Sequence, residues 1–380
     1  MVLDRVNRFR ADDSSLTFTP APAESGPVLE MSAARITEAV ADFTSAFPGV
    51  RPYYATKCNP DPGVLTVLHR AGCGFEVASV AEMTMLDGLG VLPENLIFSN
   101  PVRARAQTAL AARAGVTRFA VDSVEELART ADAAPGSRVL VRLATSPEAS
   151  LVPSEGKFGV GVTAAAELCR KARELGLEPY GLTFHMGSQT LRPETLAAPM
   201  DDVREVLTRV AADGITIPVL DIGGGFPARY SSGVPPLSAF GQVLARKLTE
   251  LPYEVAVVAE PGRCLVAAAG TFRCRVIGVA ERHGVWWAHT DLGVFNGMME
   301  ALESGGELRY PMRDSRESAA RKQFNVTGPT CDSQDTFATG VSLSADLREG
   351  DEILVGSAGA YTATYTTRFH GFPPPRVIMR

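Results

Sequence analysis

The sequence predicts an α/β protein in which a (β/α)₈ barrel is combined with a second, mostly antiparallel β-domain. Between residues 28 and 255, short apolar runs alternate with longer stretches rich in Ala, Leu, Glu and Arg at helical spacing, which is typical of βα units. After residue 255, strand-like runs follow one another without long helices, which is typical of an antiparallel sheet. A length of 380 residues also suits two domains better than one core.

Eight runs in the first region are predicted strands, and the stretches between them supply the helices. The strand-like runs are RPYYATK, GFEVAS, NLIFSN, RFAVDS, RVLVRLA, EPYGLTFHMGS, PVLDIGGG and YEVAVVAEPG. The helix-like stretches are DPGVLTVLHRAG, SVAEMTMLDGLG, RARAQTALAARAG, SVEELARTADAA, TAAAELCRKARELG and PETLAAPMDDVREVLTRVAADG. Because no strand is followed by the GxGxxG turn of a dinucleotide-binding sheet, the eight repeats favour a closed barrel over an open sheet.

The β-domain is predicted to combine the two ends of the chain. Its strand-like runs are GTFRCRVIGVAE, VWWAHTDLG, QFNVTGPTC and DEILVGSAGAYTATY. LTFTP and PVLEM, near the amino terminus, are further strand candidates that would pair with it. We therefore expect a barrel over 28–255 and a β-domain made of 1–27 and 256–380.

Composition and charge indicate an ordinary globular protein and argue against nucleic acid and membranes as partners. Hydrophobic residues make up 45% and charged residues 21% of the chain. A net charge of -6 and the absence of any Lys/Arg-rich run argue against nucleic acid as a partner. The charged start MVLDRVNRFR does not resemble a signal peptide and no run approaches the roughly 18 apolar residues of a membrane span, so we expect a cytoplasmic protein with no membrane partner. The six cysteines form no CxxC pair, so neither a metal site nor a disulfide framework is expected.

Residues with reactive side chains lie at the carboxyl ends of predicted barrel strands, where such barrels place their active sites. Lys57 closes the first strand, and a partly buried lysine there can form a Schiff base, although a solvated lysine is the commoner alternative. His185 closes another strand, with the Ser188 hydroxyl three residues later. A histidine at such a position more often serves packing or a structural hydrogen bond.

Three further motifs offer groups that suit a phosphate and a pyridine ring. The three glycines of DIGGGF, residues 223–225, let backbone N–H groups approach a phosphate, with a tight turn as an equal alternative. In AEPGR, the Glu260 carboxylate can keep a pyridine nitrogen protonated and Arg263 suits a phosphate, with a structural ion pair as the alternative. In GPTCDSQD, Cys331 and Asp332 offer a thiol and a carboxylate to one site.

These motifs, in this order, resemble the fold-type III pyridoxal-phosphate decarboxylases, the family of ornithine, lysine/ornithine, arginine and diaminopimelate decarboxylases. The similarity covers nearly the whole chain, through YYATKCNPDPGVL, GFEVAS, SNPVR, KFGV, HMGSQ, DIGGGFP, EPGR, GPTCDSQD and GAYTATYTTRFHGF. The resemblance implies an alanine racemase-like barrel with a β-domain, pyridoxal 5′-phosphate as cofactor, and a homodimer with active sites across the subunit interface. It is strongest to the ornithine and lysine types.

The resemblance also implies a role for each matched residue around the cofactor. Lys57 would form the Schiff base, Glu260 would contact the pyridine nitrogen, and His185 would stack on the ring. Glu76 of GFEVAS matches an acidic residue near the cofactor. The remaining cofactor-binding residues, most of them at the phosphate, would be Ser188, Gly223, Gly224, Gly225, Gly262, Arg263 and Tyr361.

On the substrate side, the resemblance implies that Cys331 of the partner subunit protonates the substrate carbon after CO₂ leaves. Asp332 would contact the substrate and Phe369 would line the interface. Substrate choice lies in DLGVFNGMMEALESGGELRYPM, where ornithine and lysine decarboxylases carry an aspartate and this chain has Glu303 nearby. The CDSQD sequence favours ornithine or lysine over diaminopimelate. The arginine that ornithine decarboxylases tend to carry before KFG is missing from LVPSEGKFGV, which keeps open arginine, a short diamino acid or a siderophore or antibiotic precursor.

Two other classes of function remain open at this point. One is a catalytically silent homologue that binds a decarboxylase or a regulator, as the antizyme inhibitors of this family do. The other is a phosphate-binding barrel that runs a different reaction, for which DIGGGF alone would suffice. An alanine racemase would need an arginine near the pyridine nitrogen, so EPGR and GPTCDSQD favour decarboxylation.

Overall fold

The computed structural model describes residues 26–145, 150–152 and 156–380, which form two compact units. The barrel unit comprises Ala33–Ala228 and Val234–Val266. The β unit comprises the described part of Met1–Ser32 together with Arg229–Gly233 and Ala267–Arg380. No helix among the described residues is both long and apolar enough to cross a membrane.

Strands and helices are numbered in chain order. The strands are β1 (Val28–Met31), β2 (Arg51–Ala55), β3 (Gly74–Val77), β4 (Leu96–Phe98), β5 (Arg118–Val121), β6 (Arg138–Arg142), β7 (Ser150–Val152), β8 (Glu178–Thr183), β9 (Ser188–Thr190), β10 (Val219–Asp221), β11 (Ala256–Ala259), β12 (Gly270–Arg282), β13 (Val285–Thr290), β14 (Met312–Asp314), β15 (Arg321–Thr327), β16 (Thr336–Ser344), β17 (Glu352–Val355) and β18 (Arg376–Met379). The α-helices are α1 (Ala33–Ala46), α2 (Pro62–Arg70), α3 (Val80–Asp87), α4 (Arg105–Arg113), α5 (Val124–Ala133), α6 (Val162–Glu174), α7 (Ala197–Ala212), α8 (Leu237–Leu248), α9 (Arg263–Val266) and α10 (Met299–Glu303).

Eight parallel strands close the barrel in the order β2, β3, β4, β5, β6, β8, β10 and β11, with β11 pairing back to β2. Each of them lies in one of the eight predicted runs, so the predicted fold class is confirmed. Side chains from five strands meet in the barrel core, namely Tyr53, Ile97, Leu140, Val219 and Val258. Because the interior is packed, the functional surface of such a barrel lies at the carboxyl ends of its strands.

The β unit is built on one mostly antiparallel sheet in the order β14-β17-β12-β13-β15-β16, with β1 placed between β12 and β18. β1 runs antiparallel to β12 and parallel to β18, and β13 runs parallel to β15. The PVLEM segment therefore pairs with a late strand, as predicted. The other candidate, LTFTP, lies outside the described residues.

The division of the chain differs from the predicted boundaries of 28 and 255. β11 lies beyond 255 but pairs with β10 and β2, so it belongs to the barrel. β1 lies inside the predicted barrel range but pairs in the β unit. The short segment Arg229–Gly233 also belongs to the β unit, where the Ser231 N–H donates to Arg309 O at 2.8 Å. Long helices become rare near residue 255, whereas the last parallel strand of the barrel ends at Ala259.

Candidate active site

Lys57 and Glu76 form an ion pair at the carboxyl end of the barrel. A single 3₁₀ turn, Thr56–Cys58, follows β2 and carries Lys57, while Glu76 lies in β3 opposite Ala55. Lys57 Nζ donates to Glu76 Oε2 at 2.5 Å; the Lys57 side chain is 48% exposed and that of Glu76 is 2% exposed. Burial lowers the pKa of Lys57, but the negative charges of Glu76 and Glu260 outweigh burial and raise this pKa above its ordinary value.

Glu260 stands directly after β11 and takes part in a cluster of polar groups. The Ser99 hydroxyl donates to Glu260 Oε1, and the carboxyl group of Asp221 lies within hydrogen-bonding reach of Glu260. Burial and the charge of Glu76 raise the pKa of Glu260. Burial and the charge of Glu260 raise the pKa of Asp221 well above its ordinary value. The cluster therefore concentrates carboxyl groups beside the ammonium group of Lys57.

His185 lies two residues beyond the end of β8 and is held as a neutral imidazole. The Thr145 hydroxyl donates to the backbone carbonyl of His185 at 2.6 Å. The Gly224 N–H points at His185 Nδ1 at 3.4 Å, which places the ring proton on Nε2. Burial, followed by the charges of Arg142 and Lys57, lowers the pKa of His185 to about 3. The ring therefore offers a flat, uncharged face at neutral pH.

The loop after β10 requires glycine at positions 223 and 225. Both have positive φ, +63° at Gly223 and +104° at Gly225. A Cβ atom at Gly223 would lie 1.9 Å from Phe184 O, and one at Gly225 would lie 2.1 Å from Gly187 O. Only glycine lets this loop pack against the segment between β8 and β9, which leads directly into Ser188.

Arg263 and Ser188 bring a guanidinium group and a hydroxyl group together beside the glycine loop. Arg263 is 3% exposed, and its Nη2 and Nε atoms donate to Ser188 Oγ at 3.0 and 3.3 Å. Gly262, immediately before it, packs so tightly that a Cβ would lie 3.0 Å from Cys58 Cβ. A buried guanidinium beside a hydroxyl is a combination that suits a phosphate group.

Three residues predicted on the substrate side belong to one region of the β unit. Cys331 is exposed, and its Sγ atom lies 4.0 Å from His370 Nδ1. The ring of Phe369 stacks on that of His370 at 4.0 Å and lies 4.7 Å from that of Phe295. Asp332, next to Cys331, accepts a hydrogen bond from a backbone N–H through Oδ1. Thus Cys331 and Phe369 are both exposed and both lie next to His370, with the half-buried Asp332 adjacent to Cys331 in the chain.

Glu303 and Tyr361 also lie in the β unit. Glu303 is exposed at the end of α10, whereas Glu300, one turn earlier, is buried. Burial and the charge of Glu300 raise the pKa of Glu303. Tyr361 has a left-handed backbone conformation with φ +55°, and its ring lies 6.1 Å from that of Tyr365. The specificity role of Glu303 and the phosphate role of Tyr361 stay predictions.

Three residues near the predicted ones were given no role from the sequence: Ser99, Asp221 and His370. Ser99 and Asp221 stand in the motifs SNPVR and DIGGGF, but their contacts to Glu260 depend on strands far apart in the chain. His370 directly follows Phe369 in RFHGF, and its neighbour Cys331 is 39 residues away. The sequence signal for Asp221 is a carboxyl residue at the end of an apolar, strand-like run.

The fold and the rim residues together define a class of protein. A parallel barrel that presents a paired lysine, a carboxyl cluster, a neutral imidazole and a buried arginine at the glycine loop fits a phosphorylated aldehyde with a pyridine ring. The model of the family described as pyridoxal-dependent decarboxylase, pyridoxal binding domain, matches residues 33–267. The chain therefore belongs to the pyridoxal-dependent decarboxylases, amino-acid decarboxylases that use pyridoxal 5′-phosphate.

Individual relatives cover most of the chain. It is 33% identical over 350 residues to lysine/ornithine decarboxylase of Selenomonas ruminantium, covering 91% of this chain and 87% of the relative. It is 31% identical over 346 residues to antizyme inhibitor 2 of Xenopus laevis, covering 87% and 75%. The crystal structure of lysine/ornithine decarboxylase from Vibrio vulnificus with putrescine superposes with a TM-score of 0.86 at 32% identity, covering 93% and 94%.

The residues present fit the cofactor of this family. Lys57 carries an amine that would suit the aldehyde, and Glu260 carries a carboxyl group that would suit the pyridine nitrogen. The glycine loop has no side chains that would keep a phosphate away from its backbone N–H groups. The donors of Arg263 and Ser188 lie beside this loop. Each chemical part of the cofactor thus has a matching group at the barrel rim.

Proposed function

We propose that the protein decarboxylates a basic L-amino acid, with ornithine or lysine as the preferred substrate, and releases the corresponding diamine and CO₂. The observation that carries this proposal is the Lys57–Glu76 ion pair beside Glu260 at the rim of a barrel of this family. The similarity to lysine/ornithine decarboxylase supports a basic substrate.

The barrel residues have separate tasks in this reaction. The bound cofactor supplies an electron sink for the bond pair that departing CO₂ leaves behind. Lys57 would hold the cofactor through its amine, which suits an aldehyde carbon. Glu260 holds a proton at the pyridine nitrogen by its negative charge, and the neutral ring of His185 covers the cofactor without adding a positive charge. Ser188 and Arg263 hold the phosphate.

The β-unit residues complete the site of a second copy in a homodimer. Cys331 returns a proton to the substrate carbon after CO₂ leaves, and Asp332 contacts the substrate. The exposure of Cys331 and of the apolar Phe369, 39% exposed, on one surface supports this arrangement. Mixing inactive Lys57→Ala and Cys331→Ala proteins tests it, because shared sites regain activity in mixed dimers. No recovery after subunit exchange would refute sharing.

Glu303 is the proposed partner of the distal ammonium group of the substrate. It is an exposed carboxyl group at the end of α10, in the segment that precedes the Cys331 loop. Glu has one methylene more than Asp, which moves the carboxylate by about 1.5 Å and so alters the preferred chain length. This difference keeps arginine, a short diamino acid or a specialised precursor as alternative substrates.

A decarboxylation screen tests the activity and the substrate together. The full-length protein is assayed for CO₂ release from ornithine, lysine, arginine, diaminopimelate and 2,3-diaminopropionate. Glu303→Ala should lower kcat/KM for the preferred substrate by about 10- to 100-fold, the usual effect of losing a charged hydrogen bond. Glu307→Ala, at another exposed acid of the same segment, is the matched control and should have little effect. Equal selectivity in both variants would remove Glu303 from the specificity role.

A non-catalytic regulatory protein is a second candidate, supported by the similarity to antizyme inhibitor 2. The two candidates differ in whether Lys57 captures the cofactor. An enzyme loaded with pyridoxal 5′-phosphate has a visible absorbance band that borohydride removes, and Lys57→Ala should lack this band. A wild-type protein without the band and without CO₂ release would favour the regulatory candidate.

A further inference from the structure

The carboxyl groups of Asp221 and Glu260 are brought together by the pairing of two neighbouring barrel strands. In β10 and β11, Asp221 lies opposite Val258. The pairing continues past both strand ends, because the Ile222 N–H donates to Val258 O at 3.0 Å and the Glu260 N–H donates to Gly223 O at 2.8 Å. This continuous backbone ladder holds the two carboxyl groups within hydrogen-bonding reach of each other.

Asp221 is fully buried, and half of its carboxyl group lacks a donor. Its exposed fraction is 0%, and Oδ1 accepts a hydrogen bond from the Gly223 N–H at 2.8 Å. Oδ2 receives no hydrogen bond from any N–H or O–H group of residues 26–145, 150–152 and 156–380. A buried carboxylate oxygen without a donor is costly, whereas a protonated oxygen becomes a donor itself.

Glu260 is the natural acceptor for that proton. The Ser99 hydroxyl donates to Glu260 Oε1, and the positive charge of Lys57 favours an ionised Glu260. Two ionised carboxylates cannot hydrogen bond to each other, so a pair in contact keeps one proton. Burial, followed by the charge of Glu260, raises the pKa of Asp221 well above its ordinary value, in agreement with a proton on Asp221.

We propose that Asp221 is a positioning residue that stays protonated and donates a hydrogen bond to Glu260, so that the pair carries one negative charge in a fixed orientation. The proton assignment rests on the strand pairing, on the buried Asp221 Oδ2 that receives no hydrogen bond among the described residues, and on the Ser99 hydrogen bond to Glu260. Its consequence for catalysis rests on the proposed function. Ser99 and Asp221 each donate a hydrogen bond to the Glu260 carboxylate, which leaves the remaining lone pairs of this carboxylate for the pyridine nitrogen of the cofactor.

Two substitutions distinguish a neutral Asp221 from an ionised one. Asp221→Asn keeps an oxygen for the Gly223 N–H and replaces the O–H donor by an N–H donor, whereas Asp221→Ala removes both. The dissociation constant of the full-length protein for pyridoxal 5′-phosphate is measured by cofactor fluorescence. We expect Asn to bind within about threefold of the unmodified protein and Ala to bind more than about tenfold more weakly. An Asn variant as weak as the Ala variant would overturn the proposal.

Neutron diffraction of the unmodified, cofactor-loaded protein tests the proton directly and needs no substitution. The expected result is a deuteron on Asp221 Oδ2, directed at Glu260, at neutral pD. Density without a deuteron between the two carboxyl groups would overturn the proposal. If the deuteron is present but the screen finds no decarboxylation, the proposed function fails while the assignment of the proton stands.

Discussion

Lys57 Nζ lies 2.5 Å from Glu76 Oε2, and this pairing opposes the effect of burial on the lysine. Burial is the largest influence on the pKa of Lys57 and lowers it, so removal of the Glu76 charge should lower this pKa. We expect Glu76→Gln to capture pyridoxal 5′-phosphate at lower pH than the wild type. The measurement is the pH dependence of borohydride trapping in cofactor-free protein.

Glu82→Gln is the matched control for this prediction. Glu82 also raises the pKa of Lys57 but is the smallest of the influences on it, so its removal should shift the profile less. Identical profiles for wild type and Glu76→Gln would contradict the expectation. Because the pKa of Lys57 is raised on folding, the stability it contributes is present below the unfolded value of 10.5 and is lost only above it, so unfolding near neutral pH should not interfere.

His185 should stay uncharged between about pH 5 and about pH 8, because burial lowers its pKa to about 3. In NMR spectra of protein with labelled histidine, the resonance that disappears in His185→Phe should not titrate in this range. Unfolded histidine binds a proton below its ordinary value of 6.5, so the wild type should lose stability relative to His185→Phe as pH falls from 6.5 towards 3. A midpoint for this resonance within the tested range would disprove the prediction.

Gly225→Ala should destabilise the barrel and abolish phosphate binding. The added Cβ would lie 2.1 Å from Gly187 O, at a φ of +104° that side chains rarely adopt. We expect a loss of about 3 kcal/mol or more in unfolding free energy, measured by denaturant titration, together with a loss of cofactor fluorescence. Gly233→Ala is the control, because a Cβ there meets nothing within 4 Å and the change should stay within about 1 kcal/mol. Equal effects of the two substitutions would count against this account of the glycine loop.

Cys331 should be the first thiol to react with iodoacetamide. It is exposed, whereas Cys264 is partly buried and the other four cysteines are buried. Burial raises the pKa of Cys73 and of Cys169 to about 12, which leaves almost no thiolate at neutral pH. Mass spectrometry after brief alkylation should find the label on Cys331, and Cys331→Ser should lose the fast reaction. A label found first on Cys264 would contradict the prediction.

All eight barrel strands could be predicted from the sequence, because each is a short apolar run that ends in a polar or glycine-containing turn. The helical stretches named from the sequence include neither α1 nor α8. The reason for α8 is visible in its packing: a Cβ on Gly241, inside this helix, would lie 1.9 Å from Ala46 O at the end of α1. Close approach of the two helices requires a glycine that weakens the local helical signal.

Site residues that stand in a recognisable motif could be predicted from the sequence, whereas contacts between residues of different motifs could not. Lys57, His185 and Glu260 stand at strand ends that the pattern identifies. The contacts of Glu260 with Ser99 and Asp221 depend on which strands are neighbours and how they pair. Strand order and register follow from closure of the whole barrel, so no single segment of the sequence contains them.

Because β1 lies between β12 and β18, assembly of the β unit depends on strands that are synthesised after the barrel. A ribosome releases the chain from its amino end, and all eight barrel strands are made by Ala259, before either neighbour of β1 exists. Beyond β18, the Arg380 N–H donates to Met31 O at 2.8 Å. Before β12 is made both edges of β1 lack their partners, and one edge lacks its partner until β18 is made; open strand edges promote association between chains. Nascent chains that stall directly after the barrel therefore expose both edges of β1 to association with other chains.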